Sequence, residues 1–366
     1  MDFNGFLMSG DVKAAEIRSG RILPIDSSRM PLYLTRRDDL DGWLKGRAID
    51  RHRANSRILK KVLRLTDSSD IAAVMRSHAA TITDNYWICR EGETLTYQDI
   101  RFSEDTFAEV ALTGSFSSYS RQYREEQLRG NSPELTNIGS YEKCWRLIDG
   151  EWWLVKAGTP EERFSEIFIS ELGTRLGFAM AEYLPDGQFV RTRDFTRGRC
   201  NFEPADAIVG EEEDYAFNYE RLTELDPRLG KEYLDILFMD ALCFNMDRHT
   251  KNYGVLRDQS TGKVLCMAPN FDNNIALISR GYGADPGQTN DMLIRLFAEL
   301  LESEHLEYEL PALSMDTLAS ITSAVLPGEN IRRDYVVEMV GSRMRKLEQV
   351  LGQQMREPRF EGPQMV

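Results

Sequence analysis

Cysteine and histidine are scarce in this sequence, and neither is spaced for a metal site or a disulfide framework. The 366 residues include 5 cysteines and 4 histidines, with no CxxC pair and no HExxH pattern. Zinc domains and disulfide scaffolds bring their cysteines in closely spaced sets. The scattered thiols therefore argue against both and favour a reducing, cytoplasmic setting.

Long apolar runs and an excess of positive charge are also missing. No stretch approaches the roughly 18 apolar residues of a membrane span, and the opening MDFNGFLMSGDVKAAEIRSG lacks the apolar core of a signal peptide. The net charge is −14. Broad binding to nucleic acid or to an anionic membrane is therefore disfavoured, and we expect neither a membrane partner nor direct DNA binding.

One basic segment departs from this acidic balance. Residues 44–65 read LKGRAIDRHRANSRILKKVLRL, with Asp50 as the lone acid. The basic residues are Lys45, Arg47, Arg51, Arg53, Arg57, Lys60, Lys61 and Arg64. Such a segment could dock an acidic partner or RNA, or its basic side could face the acidic remainder of the same chain.

The order of strand-like and helical patterns predicts an α+β organisation. Residues 1–125 mix short strands and helices, 126–230 are β-rich with one inserted helix, 231–354 are mainly helical, and 355–366 form a frayed tail. Within the helical part, apolar periodicity predicts helices at 231–245, about 288–303, 314–325 and 331–354.

A hairpin followed by a capped helix is the clearest local pattern. In residues 141–158, apolar runs flank the turn sequence IDGE, which is typical of a two-residue hairpin. Thr159 then fits an N-cap, Pro160 the first helical position and Glu162 the reciprocal capping partner. Gly177 offers the end of this helix.

Acid and amide side chains follow the apolar segment YLDILFMDALCF. Asp247 and Asn252, in NMDRHTKNYGVL, have the D-x4-N spacing of protein kinase catalytic loops, where the acid orients the accepting hydroxyl and the amide holds magnesium. Asp272 follows after a turn and a short apolar run, which would return a carboxylate to the same cleft. Oxygen ligands suit Mg²⁺, so the sequence predicts ATP and Mg²⁺ as cofactors, with Asn252 and Asp272 as metal ligands.

Upstream residues can supply the phosphate contacts. Lys156 ends the strand WWLVK as a kinase lysine does, although a strand-end lysine can also be purely structural. Glu166 on the next helix would pair with its ammonium group, although Glu161 and the capping residue Glu162 compete for that role. Gly139 and Ser140 precede the hairpin and permit a close approach of backbone to phosphate, although taken alone they form an ordinary turn.

These motifs resemble the HipA-like serine/threonine kinases, whose signature reads approximately N-x-D-R-H-x-x-N followed by A-P-x-[YF]-D. The matching residues are Asn245, Asp247, Arg248, His249, Asn252, Ala268, Pro269, Phe271 and Asp272. The likeness extends more weakly through GSYEK, WWLVKAG and SEIFISELGTRLGF, over roughly residues 130–300. Residues 1–125 do not match the usual N-terminal subdomain of the family, and the phosphate loop is poor in glycine.

The resemblance implies a two-lobed kinase fold related to phosphoinositide 3/4-kinases, with lobes at 126–230 and 231–354 and an accessory region at 1–125. It implies that Asp247 is catalytic, that Lys156 binds ATP phosphates, and that Arg248 and His249 shape the loop. Family members include toxins with a cognate antitoxin, some acting on aminoacyl-tRNA synthetases or the translation machinery. Some autophosphorylate in the phosphate loop, and the best counterpart here is Thr136, followed by Ser132 and Ser140.

Three other functions fit the same residues. A small-molecule or lipid kinase would use the same constellation on an enclosed acceptor. A nucleotide-binding scaffold or pseudokinase would bind ATP without turnover. An RNA-associated regulator would use residues 44–65, and that role is compatible with kinase activity.

Overall fold

A computed structural model describes residues 3–49, 53, 55–62, 69–115 and 132–354. The predicted tail at 355–366, most of the polar linker before residue 132, and the basic residues Arg51 and Arg64 lie outside the described residues. The chain forms two compact units. Unit 1 comprises Met1–Gly158, Ala181–Glu211 and Thr250–Pro269, and unit 2 comprises Thr159–Met180, Glu212–His249 and Asn270–Val366. The three-part division of the sequence stays a prediction.

Unit 1 begins with an antiparallel sheet in the order β3-β2-β1-β4. Its strands are β1 Gly5–Ser9, β2 Val12–Arg18, β3 Arg21–Pro24 and β4 Tyr86–Arg90. The short helices of this region are α1 Leu32–Arg36, α2 Leu40–Gly46, α3 Ser56–Val62, α4 Asp70–Arg76, α5 Tyr97–Ile100 and α6 Ala108–Thr113. Apolar side chains of the sheet pack on α1, α2 and α4, and Leu7, Ile17 and Ile88 are fully buried.

Two further sheets complete unit 1. One has the order β5-β6-β8-β7, and the other the order β11-β10-β9. The strands are β5 Lys143–Ile148, β6 Glu151–Lys156, β7 Tyr183–Asp186, β8 Phe189–Arg193, β9 Cys200–Pro204, β10 Gly254–Asp258 and β11 Val264–Met267, with helix α8 at Asp206–Val209. The predicted hairpin is confirmed, because Asp149 and Gly150 both have positive φ, 52° and 80°, as a two-residue hairpin turn requires.

A buried carboxylate joins the first sheet of unit 1 to the last. Glu203 on β9 accepts hydrogen bonds from the backbone N–H of Leu32 at 2.6 Å and from the Tyr86 hydroxyl at 2.9 Å, and it pairs with Arg257 of β10. Glu203 and Arg257 are each under a twentieth exposed. A buried ion pair and its hydrogen bonds therefore connect the N-terminal sheet to strands β9 and β10.

The basic segment 44–65 is largely engaged inside unit 1. Arg47 pairs with Asp84 at 2.7 Å, Lys60 pairs with Asp70 at 3.1 Å, and Arg53 is buried. The exposed bases within the described residues of this segment are Lys45, Arg57 and Lys61. These contacts favour the interpretation in which the segment faces acids of its own chain over a free docking surface.

Unit 2 is helical. Its helices are α7 Pro160–Arg175, α9 Tyr215–Leu225, α10 Pro227–Cys243, α11 Met292–Ser303, α12 Met315–Ala324 and α13 Arg333–Gln354. Helix α7 starts as predicted: the Thr159 N–H donates to Glu162 Oε2 at 2.8 Å, and the Glu162 N–H donates to Thr159 Oγ1 at 3.2 Å. Among the described residues, no helix is both long and apolar enough to cross a membrane.

Candidate functional site

The predicted phosphate loop of unit 1 brings a lysine beside its glycine. Gly139 has φ of +110°, a conformation that favours glycine, and a Cβ there would collide with the ammonium group of Lys143. Lys143 is directly opposite Lys156 in the β5–β6 ladder, so the two side chains share one face of the sheet. Both are buried, at 8% and 4% exposure. The Lys156 ammonium also lies 5.6 Å from the centroid of the Tyr183 ring.

The two buried ammonium groups place positive charge on one side of the Gly139 turn. Backbone N–H groups in such a turn favour phosphate oxygens. This corner of unit 1 therefore has the chemistry of a phosphate site.

In unit 2, one buried arginine ties the catalytic-loop motif to the segment that carries Asp272. Arg248 donates to both carboxylate oxygens of Asp240 at 2.9 Å, to the Phe271 carbonyl at 2.8 Å, and to the side-chain oxygens of Asn270 at 2.9 Å and Asn273 at 2.7 Å. Its side chain is 3% exposed and that of Asp240 is 1% exposed. The guanidinium fork makes this many planar contacts possible, which a lysine could not do.

Amide and carboxylate groups extend the same network. Asn245 donates to Asp240 at 3.0 Å and to Asn273 at 3.1 Å, and its own oxygen accepts the N–H of Asp247 at 3.1 Å. Glu166 of α7 accepts the N–H of Asn273 at 2.9 Å. Residues 245–248 and 270–273 therefore form one hydrogen-bonded body that is anchored on helices α7 and α10.

This body holds two carboxylates within electrostatic reach of each other. Burial raises the pKa of the half-buried Asp247; the charge of His249 opposes that rise, and the negative charge of Asp272 adds to it. Asp272 adopts a left-handed conformation with φ of +61°, which is uncommon outside glycine and indicates a locally constrained backbone. A divalent cation would relieve the repulsion between the two acids, and carboxylate oxygens are suitable ligands for Mg²⁺.

The remaining predicted partners are divided between the units. Asn252, 5% exposed, belongs to unit 1 with Lys156, whereas Asp247, Asp272 and Glu166 belong to unit 2. The convergence of Asn252 and Asp272 on one ion, and the Lys156–Glu166 ion pair, stay predictions. Within the described parts of the chain, no cluster of three or more His, Cys, Asp or Glu side chains is placed to hold a metal.

Comparison with solved structures identifies the architecture. HipA of Shewanella oneidensis MR-1, solved in a toxin–antitoxin complex with HipB and operator DNA, aligns with a TM-score of 0.60 over 97% of this chain and 99% of its own, at 14% sequence identity. The chain has the fold of HipA. The proinflammatory kinase CtkA of Helicobacter pylori aligns with a TM-score of 0.46 over 58% of this chain and 94% of its own, at 17% identity. The sequence matches no protein-family model and no curated protein.

The HipA likeness confirms the predicted α+β, kinase-like fold class. The motif at residues 245–252, followed by Asp272, thus pointed to the correct fold although overall identity to HipA is 14%. Identity this low shows the fold alone, so the chemistry must be argued from the residues of this chain.

The three hydroxyls predicted to be modified lie in different surroundings in this HipA-like fold. Thr136 is 5% exposed and donates to the Ala80 carbonyl at 2.7 Å. Ser132 is fully buried and donates to the Thr106 carbonyl at 3.0 Å. Ser140 is exposed. Transfer of a phosphoryl group to Thr136 or Ser132 would require these hydrogen bonds to break. The exposed hydroxyl of Ser140 is accessible without such a change.

Two residues of the candidate site, Lys143 and Asp240, were not predicted from the sequence. Lys143 could have been found, because a two-residue turn at Asp149-Gly150 fixes the hairpin register and sets Lys143 opposite Lys156. Asp240 is an acid inside the apolar run of α10, and a buried carboxylate requires a partner. That partner, Arg248, lies eight residues further along the chain.

Proposed function

We propose that this protein is an ATP- and Mg²⁺-dependent serine/threonine protein kinase of the HipA type. The observation that carries the proposal is the network around Arg248, which fixes Asp247 and Asp272 in one rigid body with their charges in mutual reach. The phosphate-loop corner with Lys143 and Lys156 supports it independently.

Each residue has a defined part in the transfer. Asp247 orients the accepting hydroxyl and takes its proton as the oxygen–phosphorus bond forms and the bond between the β and γ phosphates breaks, leaving ADP. Lys143, Lys156 and the Gly139 turn hold the phosphates. Asn252 and Asp272 would hold Mg²⁺, which neutralises charge that develops on the phosphoryl oxygens when it is bound.

Transfer of labelled phosphate tests the proposal. The purified chain is incubated with γ-labelled ATP and Mg²⁺, alone and with a generic serine/threonine protein substrate, and the labelled residues are mapped. We expect label on serine or threonine, with Ser140 as the first site on the chain itself. ATP binding without any transfer would identify a scaffold, and label only in a small-molecule acceptor would identify a metabolite or lipid kinase.

We also infer a toxin role from the proposed activity, with a cognate antitoxin as partner and a component of translation, such as an aminoacyl-tRNA synthetase, as acceptor. The HipA neighbour was solved with HipB, which supports a partner of that kind. Induced expression of the wild-type chain in bacteria is expected to arrest growth, and expression of the Asp247→Asn variant is not. Equal growth of both cultures would contradict the toxin role.

Removal of Lys143 is expected to weaken nucleotide binding. A charge-assisted contact to phosphate contributes about 1.5–3 kcal/mol, so Lys143→Met should raise the Kd for Mg·ATP about 10- to 150-fold. Lys263 is an exposed lysine of the same unit, and Lys263→Met serves as the control, with no change expected. Calorimetric titration measures both. Equal Kd values for the two variants would remove Lys143 from the phosphate site.

The rate of transfer is expected to fall on the acid side of neutrality. Asp247 must be ionised to accept the proton, and its pKa is raised by burial and then by Asp272, with His249 opposing. The acid limb of the kcat profile should therefore lie above the ordinary aspartate value of about 3.9. A pH series with saturating Mg·ATP measures it, and a rate that stays constant down to pH 4 would contradict the assignment.

A further inference from the structure

The buried side chain of Arg53 donates hydrogen bonds to both ends of the phosphate loop. Arg53 is 1% exposed and lies in unit 1. Its guanidinium donates to the carbonyl of Asn137 at 3.5 Å, to the carbonyl of Lys143, and to the carbonyl of Ala111 at 3.2 Å. The Asn137 and Lys143 carbonyls flank the Gly139 turn, so one planar group joins the loop where it begins and where it enters strand β5.

The buried carboxylate of Glu134 also contacts both ends of the loop, but it accepts hydrogen bonds where Arg53 donates them. Glu134 is fully buried; it accepts the N–H of Trp145 at 2.7 Å and the side-chain N–H of Asn137 at 2.9 Å. Its Oε2 lies 3.8 Å from Arg53 Nη2. Burial raises the pKa of Glu134 to about 7, while Arg53 and the two donated hydrogen bonds favour the ionised form.

The tip of the loop between these two contacts is exposed. Ile138 is 45% exposed and Ser140 is exposed, so the tip contributes little apolar burial. An unanchored loop of this kind would have to be ordered by the nucleotide at the expense of affinity. An arginine and a glutamate that each contact both flanks remove that freedom before binding.

We propose that Arg53 and Glu134 are positioning residues of the phosphate loop, which hold the Gly139 turn and the Lys143 ammonium in the arrangement that receives the nucleotide phosphates. The inference rests on the proposed kinase function and adds residues that touch neither nucleotide nor acceptor. It also gives Arg53 a specific role within the interpretation that the basic side of residues 44–65 faces acids of the same chain.

Unit 1 contains a matched control for this pair. Asp84 is also a buried carboxylate, and it accepts a backbone N–H from Tyr86 at 2.9 Å, a hydroxyl from Thr81 at 2.8 Å and the guanidinium of Arg47 at 2.7 Å. None of these groups belongs to the phosphate loop. Glu134→Gln and Asp84→Asn therefore remove the same kind of charge from the same unit, one under the loop and one away from it.

The first measurement compares nucleotide affinity with thermal stability at pH 8, where Glu134 is mostly ionised. We expect Glu134→Gln to raise the Kd for Mg·ATP about tenfold or more, and Asp84→Asn to change it less than twofold at a similar loss in Tm. Arg53→Lys is expected to behave like Glu134→Gln, because an ammonium group cannot serve both flanking carbonyls in one plane. A Kd that follows Tm equally in all variants would overturn the proposal.

The second measurement needs no nucleotide. Hydrogen exchange of the amides at residues 138–145 is expected to accelerate in Glu134→Gln and to stay unchanged in Asp84→Asn. Unchanged exchange in both would overturn the positioning role whatever the affinities. If the wild-type chain failed to bind Mg·ATP, the kinase proposal would fail, while exchange at these amides would still decide whether the pair orders the loop.

Discussion

Asp247→Asn is expected to abolish phosphoryl transfer while leaving the fold and the affinity for Mg·ATP close to those of the wild type. A positioned base contributes about 10²–10⁴-fold to such a step, and the amide cannot take the proton. The substitution preserves shape, so no cavity forms. The N–H of residue 247 still donates to Asn245, which keeps the loop in place. Transfer from γ-labelled ATP and calorimetric binding of Mg·ATP measure the two properties separately.

Asp316→Asn is the control for this variant, because Asp316 is an exposed acid in the first turn of α12 within the same unit. It should transfer phosphate at the wild-type rate. Turnover by Asp247→Asn at the wild-type rate would show that another group accepts the proton. Loss of nucleotide binding together with turnover would give Asp247 a structural role in place of the catalytic one.

Arg248→Met is expected to cause a large loss of stability in unit 2. It leaves Asp240 buried without its charge partner and removes the contacts to Phe271, Asn270 and Asn273. Breaking one side of a buried ion pair costs about 3–5 kcal/mol, a large share of the stability of a typical domain. Urea unfolding followed by circular dichroism measures the free energy of unfolding.

Two further variants test whether the loss of stability comes from the buried ion pair of Arg248. Arg295 makes an exposed ion pair with Asp291 at 3.1 Å, so Arg295→Met should cost at most about 1 kcal/mol. The double variant Arg248→Met with Asp240→Leu should recover part of the loss, because it no longer buries an unpaired carboxylate. A loss below about 1 kcal/mol for Arg248→Met alone would contradict the network.

The sequence predicted the ends of helices and strands correctly where a turn or a helix cap is encoded by a few adjacent residues. Thr159, Pro160 and Glu162 gave the start of α7, and the hairpin turn is at IDGE. The same kind of signal was overlooked once. Helix α10 begins at Pro227 with Asp226 as its N-cap, although the apolar pattern alone predicted a start at 231. It ends at Cys243 and not at 245, because Phe244 turns into the left-handed region with φ of 54°.

Local sequence patterns could not predict contacts between segments that are far apart in the chain. Strand β1 pairs with β4, which the chain reaches only after several helices. Arg53 and Glu134 are far apart in the sequence, yet their side chains lie 3.8 Å apart in the folded unit 1, and composition alone does not predict that Arg53 is buried. For the proposed site, the motif predicts Asp247, Asn252 and Asp272 because kinase chemistry requires those groups at that spacing. It could not supply their supports, because a buried network is defined by the fold that surrounds it.

A structure of the chain with Mn²⁺ and a non-hydrolysable ATP analogue tests the proposed metal and nucleotide site, because anomalous scattering locates the metal. We expect the metal to be bound by Asp272 and Asn252 at about 2.1–2.2 Å, with the phosphates against Lys143 and Lys156 and Asp247 facing the γ-phosphate. A nucleotide bound elsewhere, or a metal with neither Asp272 nor Asn252 among its ligands, would contradict it.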